Sequence, residues 1–251
     1  MPGILIAVLV GLALSQLANL VTTVYLHRAL AHRALNLSPW LATVFRVLIW
    51  VTTGIKPRQW VAVHRKHHAY TDVDGDPHSP VLKGYMTVQL ANPYLYRKVA
   101  RDNEVVARYA KDLSPDRWDR WFFDRSLLGL GLGIVLLCLT LGWPMGLLAA
   151  GVHTASYLLM GGAINAIGHK WGGRPYEGQA TNNWLLGLLI AGEGLHNNHH
   201  AAPTSARLSL HRGEVDPGWW FIRVARKFGW ATIRHEVPRL ARPKVRQNAP
   251  A

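Results

Sequence analysis

SLLGLGLGIVLLCLTLGWPMGLLAAGVHTASYLLMGGAINAIGH, residues 126–169, decides the fold, because it contains no Lys, Arg, Asp or Glu. A membrane helix needs about 20 predominantly apolar residues, and this run has room for two. Leu141-Gly142-Trp143-Pro144 interrupts it. Gly and Pro punctuate helices, so the stretch reads as a hairpin of two membrane helices, about 127–141 and 145–167. Toward the N-terminus, residues 1–27 are again free of those four residue types, and Gly3 to Leu26 reads as a span at about 3–26. A secretory signal is the alternative, but it would carry a basic n-region and a shorter apolar core of 7–15 residues. A further apolar run, Leu35 to Ile55, holds Pro39 near its start and Arg46 in its middle. It could cross, re-enter or lie in the interface.

Outward from the spans, the 251 residues are 49% hydrophobic and only 17% charged, which excludes a disordered chain. The uncharged runs exclude an ordinary soluble domain. One cysteine, Cys138, excludes an intrachain disulfide framework and a thiolate-rich metal site. The net charge of +14 is concentrated beside the hairpin. Arg97, Lys98, Arg101, Arg108, Lys111, Arg117, Arg120 and Arg125 precede it, and more basic residues follow His169. Both flanks share one face, and the positive-inside rule makes that face cytoplasmic. The charge therefore reads as topology and attraction to the lipid bilayer; no motif accompanies it that would make nucleic acid a partner. Several of the eleven Trp, Trp40, Trp50, Trp143, Trp171 and Trp184 among them, fall where interfacial anchors belong.

Nine of the thirteen histidines form a pattern. His27 and His32 make H-x4-H; His64, His67 and His68 make H-x2-H-H; His196, His199 and His200 repeat that triplet; His169 follows Asn165 by one helical turn. On a helix, residues at i, i+3 and i+4 share a face, so each triplet projects three imidazoles together. The i+5 spacing of His27 and His32 requires a distorted backbone or a shared metal. Imidazole suits Fe, Zn, Cu and Ni, and nine nitrogens exceed what one ion takes. A site of two ions is the economical reading. If every box meets there, 27–32 and 64–68 lie on one side of the membrane, so the Leu35–Ile55 run cannot cross once. It becomes an interfacial or re-entrant helix at about 37–55. The expectation is an all-α integral membrane protein: a helical stem of about three spans, a cytosolic helical cap at 57–125 and 168–237, and a tail at 238–251.

The motifs H-R-A-L-A-H (27–32), H-R-K-H-H-A-Y-T-D (64–72), D-P-H-S-P (76–80), N-A-I-G-H (165–169) and G-E-G-L-H-N-N-H-H (192–200) resemble the membrane fatty-acyl desaturases of the Δ9 acyl-CoA/acyl-lipid type. The likeness runs from about Tyr25 to Trp220, and the H-N-N-H-H form is most similar to the bacterial branch. The resemblance implies a di-iron centre of two Fe ligated by His27, His32, His64, His67, His68, His169, His196, His199 and His200, with Asn165 holding a water at one iron. It implies O2-dependent desaturation of a fatty-acyl substrate on CoA, acyl carrier protein or phospholipid. A hydroxylase or acetylenase of the same superfamily remains open, because histidine boxes alone do not separate these outcomes. Trp60 matches a tryptophan of the family's acyl tunnel, and Arg97 with Lys98 a basic pair contacting the carrier. The implied setting is the bacterial inner membrane, with the site on the cytoplasmic side. Electrons are expected from a separate ferredoxin- or cytochrome-type donor with its reductase.

Other signals lead elsewhere. Asp72, Asp74 and Asp76 mimic the start of a calcium loop, but Pro77 and Lys83 stand where glycine and glutamate are required. Asp72, Asp76 and Glu193 are better read as partners that orient metal-bound imidazoles. His153 lies far around its helix from His169 and is expected to bond a neighbouring helix. A metal transporter would place its ligands at mid-membrane on broken helices, whereas these cluster at span ends.

Overall fold

The computed structural model describes Pro2 to Glu236 and Leu240; apart from Leu240, the expected tail at 238–251 lies outside the described residues. The first apolar run forms α1 (Pro2–Val21) and continues without a break as a π-helical segment, Thr22–Ala31. Then follow α2 (Pro39–Thr53), α3 (Pro57–Tyr70), α4 (Pro80–Lys83), α5 (Tyr85–Ala100) and α6 (Asn103–Tyr109). A short π-helical turn, Asp119–Phe123, leads to α7 (Ser126–Leu141) and α8 (Trp143–Ala166), which ends in a 3-10 turn, Ile167–His169. Three helices complete the chain: α9 (Trp184–Leu189), α10 (His196–Ala201) and α11 (Pro217–Lys227). Prolines at the first turns of α2, α3, α8 and α11 start helices where their missing N–H has no intrahelical partner to lose.

Among the described residues, two stretches are long and apolar enough to cross a membrane, Pro2–Ala31 and Trp143–His169. The sequence reading expected about three. The remaining candidate, α7, has 16 residues, so at about 1.5 Å per residue it falls short of the roughly 30 Å hydrocarbon core. Arg125 bounds it at one end and Gly142, at φ +79, turns the chain straight into α8 at the other. Leu127 and Leu139 on α7 are 85% and 78% exposed, which suits a surface that meets lipid rather than water.

Arg46 explains why α2 can be apolar yet carry a cation. Its guanidinium donates to both Asp116 oxygens (2.8 and 2.9 Å), pairs with Asp119 and lies 4.2 Å from the Phe123 ring centroid. His153 ties three helices together. Its Nε2–H donates to the Thr52 carbonyl of α2 (2.8 Å), leaving Nδ1 to accept from Ser15 Oγ of α1 (3.2 Å).

One part of the all-α expectation needs correction. Leu35–Leu37 (β1) pairs antiparallel with Ala231–Ile233 (β2), Asn36 opposite Thr232. Three residues per strand are too few to show an alternating pattern. This small sheet closes a core in which Val24, Leu26, Leu35, Phe45, Ile49, Trp219 and Ile222 pack together. The segment carrying the first histidines is thereby fixed between α2 and α11.

Candidate metal centre

His27 sits on the π-helical segment and His32 caps its end, where the His32 N–H bonds the His27 carbonyl (3.0 Å) in the i→i+5 pattern that brings residues five apart onto adjoining turns. Their rings lie 4.9 Å apart between centroids. This is a backbone distortion, one of the two alternatives that H-x4-H left open. His64, His67 and His68 come from α3, His169 from the 3-10 turn after α8, and His196, His199 and His200 from α10. All nine converge, in two groups. One holds His27, His32, His64, His68 and His199; the other holds His67, His169, His196 and His200.

Each triplet faces the same site, as its spacing predicts, but divides between the two groups. Each triplet gives its i, i+4 pair to one group and its i+3 member to the other: His64 and His68 part from His67, and His196 and His200 from His199. At 100° per residue, the i and i+4 side chains are about 40° apart, whereas i+3 diverges about 60° to the other side of i. That small divergence is enough to serve two centres.

The ligand atoms of each group all lie within 4.8 Å of one another. His27 Nε2 is 3.1 Å from His199 Nε2, His68 Nε2 2.8 Å from His199 Nε2, and His32 Nε2 2.7 Å from His64 Nε2. In the second group His196 Nε2 is 3.0 Å from His169 Nε2 and 3.2 Å from His200 Nε2, and His67 Nε2 is 3.3 Å from His200 Nε2. A metal–imidazole bond of about 2.1 Å puts adjacent octahedral ligands about 3.0 Å apart and opposite ones about 4.2 Å apart. The spacing therefore fits a cation at the middle of each group.

Protonation agrees. Burial first, then repulsion between neighbouring imidazoles, holds His64, His68, His196, His199 and His200 well below the ordinary histidine value. The same causes, with Arg65 added, act on His32. These rings are neutral at pH 7, with a lone pair free for metal.

Three carboxylates fix ring orientation. His27 Nδ1–H donates to Glu193 Oε1 (2.7 Å), to which Thr23 also donates. His67 Nδ1–H is 3.0 Å from both oxygens of Asp76, and His169 Nδ1–H donates to Asp72 Oδ2 (2.7 Å). Burial alone would raise these acids. The imidazole contacts outweigh it, and all three lie below the usual carboxylate range. With Nδ1 committed as a donor, the neutral tautomer of His27, His67 and His169 leaves Nε2 as an acceptor that faces other Nε2 atoms. Convergent lone pairs of this kind could hold a cation.

The sequence profile of the family described as Fatty acid desaturase matches residues 2–225. The chain belongs to this family. Among its relatives, the Delta-9 acyl-lipid desaturase 1 of Arabidopsis thaliana is 34% identical over 238 residues, 90% of this chain and 74% of its own. The sn-2 palmitoyl-lipid 9-desaturase of Nostoc sp. (strain 36) is 33% identical over 211 residues, 82% and 73% respectively. The acyl-CoA C20 Delta5-desaturase of Anemone leveillei is 32% identical over 217 residues, 84% and 68%. The protein is thus an oxidoreductase, a fatty acid desaturase of a membrane-associated family.

In this desaturase Trp60 stacks on His64, with ring centroids 4.9 Å apart and planes 12° apart, and meets His27 edge-on at 6.2 Å. Asn165 donates its amide nitrogen to Asn92 Oδ1 (3.3 Å), not to the cluster. Arg97 and Lys98 are exposed in the last turn of α5, and no contact with the histidines is seen among the described residues.

Four residues in the desaturase's supporting structure escaped the sequence reading. Thr23 and Ser79 hydrogen-bond Glu193 and Asp72. Arg28, next to His27 and 1% exposed, forms a forked pair with Asp216, itself fully buried. Arg28 also donates to the carbonyls of Ala206 (2.9 Å) and Ala191 (3.3 Å). A Cβ on Gly192 would come within 2.3 Å of Asp216 Oδ1, and one on Gly218 within 2.8 Å of Arg28 Nη2, so both positions need glycine. His27 and Arg28, adjacent in the chain, therefore grip the 191–193 turn at two points. Asp216 had a visible signal: it precedes Pro217 and caps α11 by accepting from Trp219 N (2.9 Å).

Proposed function

We propose that this enzyme desaturates a saturated fatty-acyl chain with O2, using two irons held by the nine clustered histidines. The observation that carries the reading is the convergence of two sets of imidazoles, three of them oriented by carboxylates, beside the ends of the two long apolar stretches. When bound, the iron pair supplies the oxidising power that an unactivated alkyl C–H bond demands, chemistry no side chain provides. His27, His32, His64, His68 and His199 would hold one ion, and His67, His169, His196 and His200 the other. Asn165 would add a water to the second through its amide oxygen, since its nitrogen is engaged with Asn92. The chain's own work is positional. Glu193, Asp72 and Asp76 keep three rings aimed, and Trp60, stacked on His64, would present an apolar wall along which the acyl chain is held beside the metals.

The proposed setting is a stem of three membrane helices, α1, α8 and the shorter α7 that rises to the turn at Gly142 without reaching through the whole hydrocarbon core, with α2 in the interface and the histidines on the cytoplasmic side of a bacterial inner membrane. The cations on α5 and α6 support that side by the positive-inside rule. Arg97 and Lys98 would meet the acyl carrier's phosphate. Arg101, Arg108 and Arg117 would steer an acidic electron donor of the ferredoxin or cytochrome type.

The test is mass spectrometry of total lipids from a desaturase-deficient bacterial host co-expressing ferredoxin and reductase, with wild type or His199→Ala. New monounsaturated chains that vanish in the variant are the expected result, and derivatisation locates the double bond. Hydroxylated chains would overturn desaturation, and a purified protein with far fewer than two irons per chain would overturn the di-iron reading.

A further inference from the structure

The two groups of imidazoles are braced by different parts of the chain. In the four-histidine group, His67 and His169 are held by Asp76 and Asp72, and both acids belong to the loop that joins α3 to α4. That loop is braced against itself. Asp76 Oδ2 accepts from the Asp72 backbone N–H (2.8 Å) and Asp76 Oδ1 from that of His78 (3.0 Å). Ser79 Oγ–H donates to Asp72 Oδ1 (2.7 Å). Asp72 adopts φ +58, a conformation that Asp tolerates better than most residues. Among the described residues, neither acid bonds a histidine of the other group.

The five-histidine group receives its carboxylate from elsewhere. Glu193 lies on the turn before α10, and its contact with His27 is backed by Thr23 on the π-helical segment. The same turn is held by Arg28 through the Ala191 carbonyl. Nothing in this arrangement passes through the α3–α4 loop.

We infer that the desaturase supports its two metal positions independently: the α3–α4 loop, through Asp72 and Asp76, secures the four-histidine position, and Glu193 secures the five-histidine position. Either can be emptied while the other stays filled. The inference rests on the two-iron reading. A carboxylate behind a metal-bound imidazole fixes both its tautomer and its ring plane, and losing such a partner weakens metal binding by about 10- to 100-fold. In the four-histidine group the loss falls on a small ligand set. His67 and His169 carry its carboxylate contacts, while His196 Nδ1, like His199 Nδ1 in the other group, is buried with no partner among the described residues. Asp72, Asp76 and Glu193 are positioning residues, acting on the metals only through imidazoles.

The experiment uses the full chain in detergent, stripped with chelator and titrated anaerobically with 57Fe(II), followed by metal analysis and Mössbauer spectroscopy. Asp76→Asn and Asp72→Asn are each expected to keep one iron tightly and bind the second about 10- to 100-fold more weakly. Their residual spectra should be the same, because different histidines of one group are loosened. Glu193→Gln should leave a different residual spectrum, that of the other position. Asp76→Glu should recover part of the second iron. Ser79→Ala, which loosens Asp72 without removing it, repeats the test if an asparagine variant fails to fold. The inference is overturned if Asp76→Asn and Glu193→Gln lose both irons together, leave the same spectrum, or bind iron as wild type does. A wild-type chain that never takes up two irons would instead strike at the two-iron reading itself.

Discussion

Replacing Arg28 with methionine keeps much of the side chain's apolar length but removes its charge and its donors. Arg28 makes four hydrogen bonds from a fully enclosed position: two to Asp216 (2.7 and 3.2 Å), one to the Ala206 carbonyl (2.9 Å) and one to the Ala191 carbonyl (3.3 Å). Asp216 would keep its bonds from the backbone N–H groups of Leu208, Ser209 and Trp219, yet remain a buried anion with no cation beside it. Breaking one side of a buried pair costs about 3–5 kcal/mol through the uncompensated charge left behind. In a chain of this size about 1 kcal/mol moves the melting temperature by roughly 2–4 °C, so a fall on the order of 10 °C is expected. Thermal unfolding in detergent, read as loss of the monodisperse size-exclusion peak, measures it. Asp216→Asn should be similarly harmful, because it leaves Arg28 as an uncompensated cation. The double variant buries no net charge and should therefore cost at least about 1 kcal/mol less than the two single effects added. Strict additivity, or an Arg28→Met variant that melts within a degree or two of wild type, would refute the reasoning.

Two other outcomes test the remaining structure. His153→Ala should leave iron content unchanged while costing about 1–3 kcal/mol, because it strands the Thr52 carbonyl between helices; loss of iron would show that His153 belongs to the centre. Asp112 is bonded by Arg65 and Arg33, which hold its carboxyl well below the ordinary value against the opposing effect of burial. A depressed folded-state pKa contributes stability above the unfolded value near 4 and loses it as pH falls toward the folded one. The advantage of wild type over Asp112→Asn, about 1 kcal/mol at pH 7, should therefore shrink below pH 4, and an advantage that grows on acidification would contradict the assignment.

Some features of this desaturase were legible because they are local. A span is a property of consecutive residues, so α1 and α8 could be read from composition, as could a turn in the stretch 141–144, which the structure narrows to Gly142. The i+5 spacing of His27 and His32 called for a distorted backbone or a shared metal, and the π-helical segment that His32 caps is such a distortion. The division of each triplet between two groups was also latent, since i+3 and i+4 leave a helix on opposite sides of i. Spacing alone does not assign a ring to one of two ions, because that depends on where the other helices place their histidines. The β1–β2 pair was hidden for a different reason: strands of three residues carry no pattern, and their partners are nearly 200 positions apart.

The sequence alone determined that the chain has membrane-length apolar helices, that nine histidines fall in spaced boxes, and that acids stand beside those boxes. Each of these depends on neighbours within a few turns, where helix geometry fixes the relation between number and position. Only the tertiary structure decided which imidazole joins which group, which acid backs which ring, and that Arg28 closes on Asp216 across most of the chain. Those contacts arise where separate helices pack, and packing distance is set by the whole core rather than by any spacing along the chain.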